Sequence, residues 1–276
     1  MREIARAKRD AFLRKLVSPP IVMGILNLTP DSFSDGGRLP TVDAAVAHAH
    51  AIVAAGCDIV DVGGESTRPG AVAVSAADEL ARVEPVLARL TRDLDVPVSI
   101  DTYKATVASR AAELGAVVVN DVWGLQRDPD MAATVAAAQT ALVIMHNRAE
   151  KDAAIDIVAD MDAFFDRSLA LAAKAGIPDE RIILDPGIGF GKTSRQNLAA
   201  FAHVGKLKER GFPIMVGVSR KRFLGSDAPA LDTLAGTIAA NLAAAANGAA
   251  IFRVHDVAEH VAALKTFAVL RNAHPF

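Results

Sequence analysis

The sequence predicts a single α/β domain over residues 1–276, a (β/α)8 barrel (TIM barrel) with a short N-terminal extension over residues 1–20. Three observations carry that prediction. Eight short β-branched runs recur, Ala- and Leu-rich stretches with helical spacing lie between them, and no linker or low-complexity segment divides the 276 residues. Continuous apolar runs alternating with helices describe a parallel sheet covered on both faces, and eight such units in about 250 residues fit closure. A doubly wound open sheet is the alternative; the regular count of eight favours the barrel.

In chain order, the extension is basic (Arg2, Arg6, Lys8, Arg9, Arg14, Lys15) but contains Glu3 and Asp10 and lacks a long apolar segment. It reads as a short amphipathic helix ending at Pro19-Pro20 rather than a secretory signal. IVMGIL (21–26) is the first strand and Val42–Ala55 the next helix, followed by the strand CDIVDV (57–62) and the helix Ala77–Leu90. PVSI (97–100), AVVV (116–119) and ALVIM (141–145) are strands, and Ala154–Ala175 is a helix. RIIL (181–184), PIMV (213–216) and AAIF (249–252) complete the eight strands, with the helix Leu231–Ala246 before the last. Thr233 to Phe252 is uncharged and long enough to span a membrane. It is mostly alanine, interrupted by Asn241, Asn247 and Gly248, so it reads as a buried helix, a glycine turn and a strand.

Composition narrows the function. Hydrophobic residues make up 51% and charged residues 22%, enough for a large core, and a net charge of −2 argues against non-specific binding to nucleic acid or anionic membranes. The lone Cys57 can form no internal disulfide and has no thiolate companion. It reads as a buried, inert thiol near a strand start, and a reducing, cytoplasmic setting fits.

In such a barrel, function gathers on the loops that follow the strands. Those loops read NLTPDSFSDGG (27–37), GGESTRPGA (63–71), DTYK (101–104), NDVWG (120–124), HNR (146–148), DPGIGFGK (185–192), GVSRKRF (217–223) and RVHD (253–256). DPGIGFGK fails as a phosphate loop, because Pro186 stands where the first glycine should be, and fails as a dinucleotide fingerprint. Asp185 closes a turn or contacts a ligand, and Asp101 and Asn120-Asp121 are each helix caps if taken singly. Together at one mouth, carboxylates beside an amide suit a planar heterocycle with an amino-pyrimidinone edge. Three consecutive cations in SRKRF (219–223), at an expected helix start, point to an anion, and Arg68 adds a fourth from another loop. His146 and His255 lack zinc-ligand spacing, and His48, His50 and His260 read as helix-surface residues. Arg253 and His255, two apart at a strand end, share a face. The first two loops are Gly-, Ser- and Pro-rich, with little but Phe33 to pin them, and are expected to order only over bound substrate.

Read together, MGILNLTPDSFSDGG, DVGGESTRPGA, SIDTYK, NDVWG, DPGIGFGK, SRKRFLG and RVHDV resemble the dihydropteroate synthase family over roughly residues 21 to 270. The resemblance implies a (β/α)8 barrel, a homodimer, Mg²⁺ as cofactor and a place in a family that is the target of sulfonamide drugs. It implies a transferase that condenses 6-hydroxymethyl-7,8-dihydropterin diphosphate with 4-aminobenzoate, releasing diphosphate and forming 7,8-dihydropteroate in folate biosynthesis. Carried over by position, Asp101, Asn120 and Asp185 hold the pterin edge and Lys221 reaches the ring, with Asp101 and Lys221 as the catalytic pair. Thr67, Arg68, Arg253 and His255 take the diphosphate, and Asn27 ligates Mg²⁺. Phe33, Pro69, Phe190 and the segment containing Ser219 and Arg222 form the aminobenzoate pocket. Many relatives have Ser where this chain has Arg222, which leaves either Arg222 or the helix N-terminus to hold the substrate carboxylate. On this reading Arg253→Ala weakens the diphosphate substrate and hardly changes binding of the free pterin alcohol; the bland alternative pairs Arg253 with Asp256 or Glu259. A pterin-dependent methyltransferase and a noncatalytic pterin-binding paralogue are the rival readings.

Overall fold

The computed structural model describes residues 1, 3–16, 20–29, 41–66, 72–221 and 233–273. Eight parallel strands form one sheet: β1 (Ile21–Asn27), β2 (Ile59–Gly63), β3 (Val98–Asp101), β4 (Val118–Asp121), β5 (Ala141–Met145), β6 (Ile182–Asp185), β7 (Met215–Val216) and β8 (Ile251–Val254). Their spatial order is β6-β5-β4-β3-β2-β1-β8-β7, and a parallel bridge between Leu184 and Ile214 joins the two ends into a barrel. The helices α1 (Glu3–Lys15), α2 (Val42–Ala54), α3 (Ala76–Asp93), α4 (Ala105–Leu114), α5 (Met131–Ala138), α6 (Ile157–Ala175), α7 (Ser194–Ala202), α8 (Val204–Lys208), α9 (Leu234–Ala246) and α10 (Val257–Ala273) accompany them.

Strand alternation sorts the core into two layers. Val60, Val62, Val119, Leu142, Ile144, Leu184 and Phe252 belong to an outer cluster shared with the helices. Ile21, Met23, Ile59, Val118, Val143, Ile183, Met215 and Ile251 fill the barrel, joined at its amino end by Ala5 and Phe12 of α1. The N-terminal helix is therefore a plug, tied down by Lys8 Nζ donating to the Leu94 carbonyl at 2.6 Å and by Arg9 donating to that of Gln139.

Boundaries moved for identifiable reasons. The helix expected from Ala154 starts at Ile157, because the Asp156 side chain accepts from the N–H groups of Val158 and Ala159. The one expected from Leu231 starts at Leu234, capped by Thr233. Most strands run one or two residues further toward their carboxyl ends than the apolar runs suggest, so that Asn27, Asp101, Asn120, Asp185 and Arg253 sit inside the ladder. These five polar residues are thus placed by backbone pairing rather than by loops. Among the described residues no helix is long and apolar enough to cross a membrane.

Cys57 is 5% exposed just before β2, and burial pushes its thiol up to about 12. It is expected to stay unmodified by a thiol reagent at neutral pH while the protein is folded and to react once denaturant unfolds it. Stoichiometric labelling of the native protein would contradict this placement.

Candidate active site

Register brings the site together. Asn27 pairs with Gly63, Gly63 with Asp101, and Asp101 with Asn120, so the ends of β1 to β4 form one arc of the barrel mouth. Asp185 ends β6, and Arg253 lies in β8, which pairs with β1 and so extends the arc. The alternation that puts Ile59 inside the barrel puts Asp61 there too, fully buried.

Asp61 is the hub. Its Oδ2 accepts from Arg253 Nε at 2.7 Å and from Asn120 Nδ2 at 3.1 Å. Arg253 Nη2 donates to Asp101 Oδ2, also at 2.7 Å. A guanidinium has five N–H donors, so among the described residues three remain, including both on Nη1. Asp101 Oδ1 and Asn120 Oδ1 are buried acceptors without a hydrogen-bond partner among the described residues. Unpaired buried acceptors are costly, and here they mark where ligand donors fit. Burial pushes the Asp101 carboxyl up, to about 7, while Arg253 pulls the other way.

Asp185 is both turn and site. Its Oδ1 accepts from the Gly187 N–H at 2.7 Å, and burial raises its carboxyl above the usual range. Lys221 reaches into the mouth, donating from Nζ to the Ile188 carbonyl at 2.8 Å and lying 4.4 Å from the centre of the Phe190 ring. Burial lowers Lys221 to about 8, opposed by Asp185 and Asp101. His255 lies beyond β8, its Nδ1 3.0 Å from Ser219 Oγ, which in turn accepts from the His255 N–H. The hydroxyl proton is then free for Nδ1, which favours the tautomer carrying its proton on Nε2.

Of the expected site residues, Asn27, Asp101, Asn120, Asp185, Phe190, Ser219, Lys221, Arg253 and His255 are found at this one end. Phe33, Thr67, Arg68, Pro69 and Arg222, and the expected ordering of the first two loops, lie outside the described residues. Of SRKRF, the expected helix start, residues 219–221 form a turn and the rest lies outside the described residues.

Four expectations are corrected. Asp121 is a turn residue, accepting from the N–H groups of Trp123 and Leu125. Arg220 does not face the mouth: at φ 55° it turns outward and pairs with Asp256 at 2.5 Å, the carboxylate offered above as a partner for Arg253. His260 is not a surface residue but fully buried, its Nδ1 2.6 Å from the Asp256 carbonyl oxygen. Nor is Asp101 a helix cap, since the first N–H of α4, on Ala105, donates to Asp128.

Sequence reasoning misses three groups. Asp61 carries a signal, a carboxylate inside an otherwise apolar strand run. Lys192 looks like a solvated turn lysine and is 1% exposed. Glu65, Lys104 and Glu79 form a buried ion-pair cluster at the root of the second loop, joined by the Tyr103 hydroxyl donating to Glu65.

A sequence profile of the pterin-binding enzymes matches residues 23–255. The dihydropteroate synthase of Bacillus subtilis is 46% identical over 239 residues, covering 86% of this chain and 84% of that one. The chain belongs to the dihydropteroate synthases. The Clostridium beijerinckii dihydropteroate synthase is likewise 46% identical, over 88% of this chain and 91% of its own. Among solved structures, Clostridium difficile dihydropteroate synthase in the presence of pteroic acid superposes with a TM-score of 0.87 at 44% identity, covering 92% of this chain and 97% of that one. The Xanthomonas albilineans dihydropteroate synthase in complex with 7,8-dihydropteroate gives 0.83 at 41% identity, covering 92% and 95%. As a dihydropteroate synthase, the chain is a transferase of folate biosynthesis.

Proposed function

We propose that the barrel mouth joins 4-aminobenzoate to 6-hydroxymethyl-7,8-dihydropterin diphosphate with the residue roles set out above. One observation carries this reading: Asp101 and Asn120 hold open acceptors beside the Arg253 guanidinium, with Asp185 and Lys221 close enough for their charges to act on one another and on that pair. The acceptors match the N–H groups of an aminopyrimidinone, and the cation matches a diphosphate.

The bond between the exocyclic pterin carbon and the diphosphate oxygen breaks, and its electron pair leaves on diphosphate. Arg253, His255, Thr67 and Arg68 receive that charge. The electron-rich dihydropterin carries the positive charge at the exocyclic carbon, which the Asp101 carboxylate stabilises. The amine lone pair of 4-aminobenzoate forms the new carbon–nitrogen bond, and the nitrogen then loses a proton to solvent. No side-chain nucleophile is needed.

Mg²⁺ fits this site through Asn27. A Cβ placed on Gly63 would lie 3.5 Å from Asn27 Oδ1 and 3.7 Å from Asp101 Oδ2, so a hard oxygen donor faces a gap left by a residue without a side chain. Mg²⁺ commonly binds through one or two protein oxygens plus substrate phosphates and water. When bound it would neutralise charge on the leaving diphosphate. Asn27→Ala is expected to raise the Mg²⁺ concentration for half-maximal activity roughly tenfold; an unchanged Mg²⁺ titration counts against Asn27 as ligand.

A homodimer of a cytoplasmic enzyme completes the reading. Val269 and Leu270 of α10 and Leu234 of α9 are exposed apolar side chains on adjacent helices. Light scattering at one subunit per particle would argue against the dimer. The function itself is tested by incubating the protein with pterin diphosphate, 4-aminobenzoate and Mg²⁺. Diphosphate release that depends on aminobenzoate supports it; none, or release indifferent to aminobenzoate, overturns it.

A further inference from the structure

We infer that Lys192 is a positioning residue for the pterin site: its buried ammonium clamps the loop after β6 against the end of β5 and thereby sets the groups that hold Lys221. This rests on the reading that Lys221 and Asp185 hold the pterin.

The geometry is specific. Lys192 Nζ lies 2.8 Å from the Gly187 carbonyl oxygen, 3.2 Å from that of Phe190 and 3.3 Å from that of His146. An ammonium has three donors, and here all three meet backbone acceptors. No carboxylate forms an ion pair with it among the described residues, although it is 1% exposed. A charge buried without a counter-charge is expensive, and a lysine in a turn could reach water instead. Its burial calls for a compensating role, and the backbone around it supplies one.

The loop presses against the strand end. Gly187 has φ 63°, and a Cβ there would lie 1.8 Å from the His146 carbonyl oxygen, so the two backbones meet where no side chain is admitted. Their carbonyl oxygens converge on the same small volume and would repel one another without a cation between them. Three contacts that orient the Lys221 side chain come from this stretch. Ile188 O accepts its Nζ, a Cβ on Gly189 would lie 3.1 Å from its Cδ, and Phe190 lies beneath the ammonium. Ile188 and Gly189 lie between two carbonyls that Lys192 holds, and Phe190 supplies one of them. Burial also lowers Lys192, to about 7, in keeping with an ammonium whose direct partners are carbonyl dipoles and whose nearest carboxylates, Asp185 and Asp160, act only at a distance.

The test is a double-mutant cycle on pterin binding, with calorimetry of the pterin alcohol to Lys192→Met, Lys221→Met and the double variant. Each single change is expected to weaken the alcohol about tenfold, and the double variant to bind within twofold of Lys221→Met alone, because Lys192 acts through Lys221. Losses that multiply, or a lowered melting temperature with unchanged affinity in Lys192→Met, overturn the positioning role and leave the pterin reading intact. Unchanged affinity in Lys221→Met overturns the reading of Lys221 itself, and this inference with it. Should Lys192→Met fail to fold, Lys192→Gln keeps two N–H donors and enters the same cycle with the same outcomes.

Discussion

Asp101→Asn is expected to reduce turnover by ~10²–10³ while leaving the melting temperature at neutral pH nearly unchanged. Asp101 Oδ2 is committed to Arg253, and Oδ1 is the open acceptor in the mouth. An asparagine can satisfy Arg253 with its single oxygen, but it then presents an amide donor where the pterin also has donors. It also removes the one charge set to oppose the developing carbocation. Stability should hold, because burial raises the Asp101 carboxyl to about 7. A raised folded-state value means that this group favours folding only while protonated, an advantage present below the unfolded value near 4 and lost as pH rises through 7. A neutral amide avoids that loss. The same titration should give wild-type kcat/KM an acid limb, rising as pH passes about 7, and the variant should lack it. The alkaline limb, from Lys221 at about 8, should remain in both. A variant that keeps its turnover and its acid limb but melts early would make Asp101 a structural residue.

The fold was legible because its determinants are local. β-branched runs such as AVVV and ALVIM do not alternate, so they announce strands buried on both faces, and their count announces closure. The strand ends were less legible. Hydropathy stops at the first polar residue, whereas the ladder continues through Asp101, Asn120 and Asp185, whose backbones still pair. The site was legible where several motifs converge on one mouth. It was not legible where a role depends on a partner far along the chain: Arg253 meets Asp61 across 192 residues, and no local pattern ties them. Lys192 was hidden for a related reason, since its partners are carbonyl oxygens and backbone acceptors leave no mark in side-chain sequence. Arg220 and Lys221 show the same limit at the shortest range. They are neighbours of equal charge, yet a left-handed backbone at Arg220 sends one to the rim and the other into the mouth.

Arg253→Ala should cost far more than one contact to diphosphate. From sequence alone the expected loss is roughly 10- to 150-fold for the diphosphate substrate, with pterin alcohol binding unchanged. The Asp61–Arg253–Asp101 arrangement changes the second half of that expectation. Asp61 is fully buried and Asp101 is 5% exposed, so removing the guanidinium strands two carboxylates in the barrel, one of them held, among the described residues, only by Asn120 Nδ2. Breaking a buried pair in this way destabilises by about 3–5 kcal/mol, a fall in melting temperature on the order of 10 °C for a chain of this size. With Asp101 and Asn120 no longer held in register, the pterin alcohol should bind more weakly too, and the diphosphate should lose that factor plus its own. The two effects separate in Arg253→Ala combined with Asp61→Asn. Neutralising Asp61 removes the buried charge, so thermal stability and alcohol binding should recover in large part, while diphosphate affinity stays low because no guanidinium has returned. If the double variant regains full diphosphate affinity, Arg253 serves only to neutralise Asp61. If Arg253→Ala weakens both ligands equally, the guanidinium organises the pterin pocket and does not grip the leaving group.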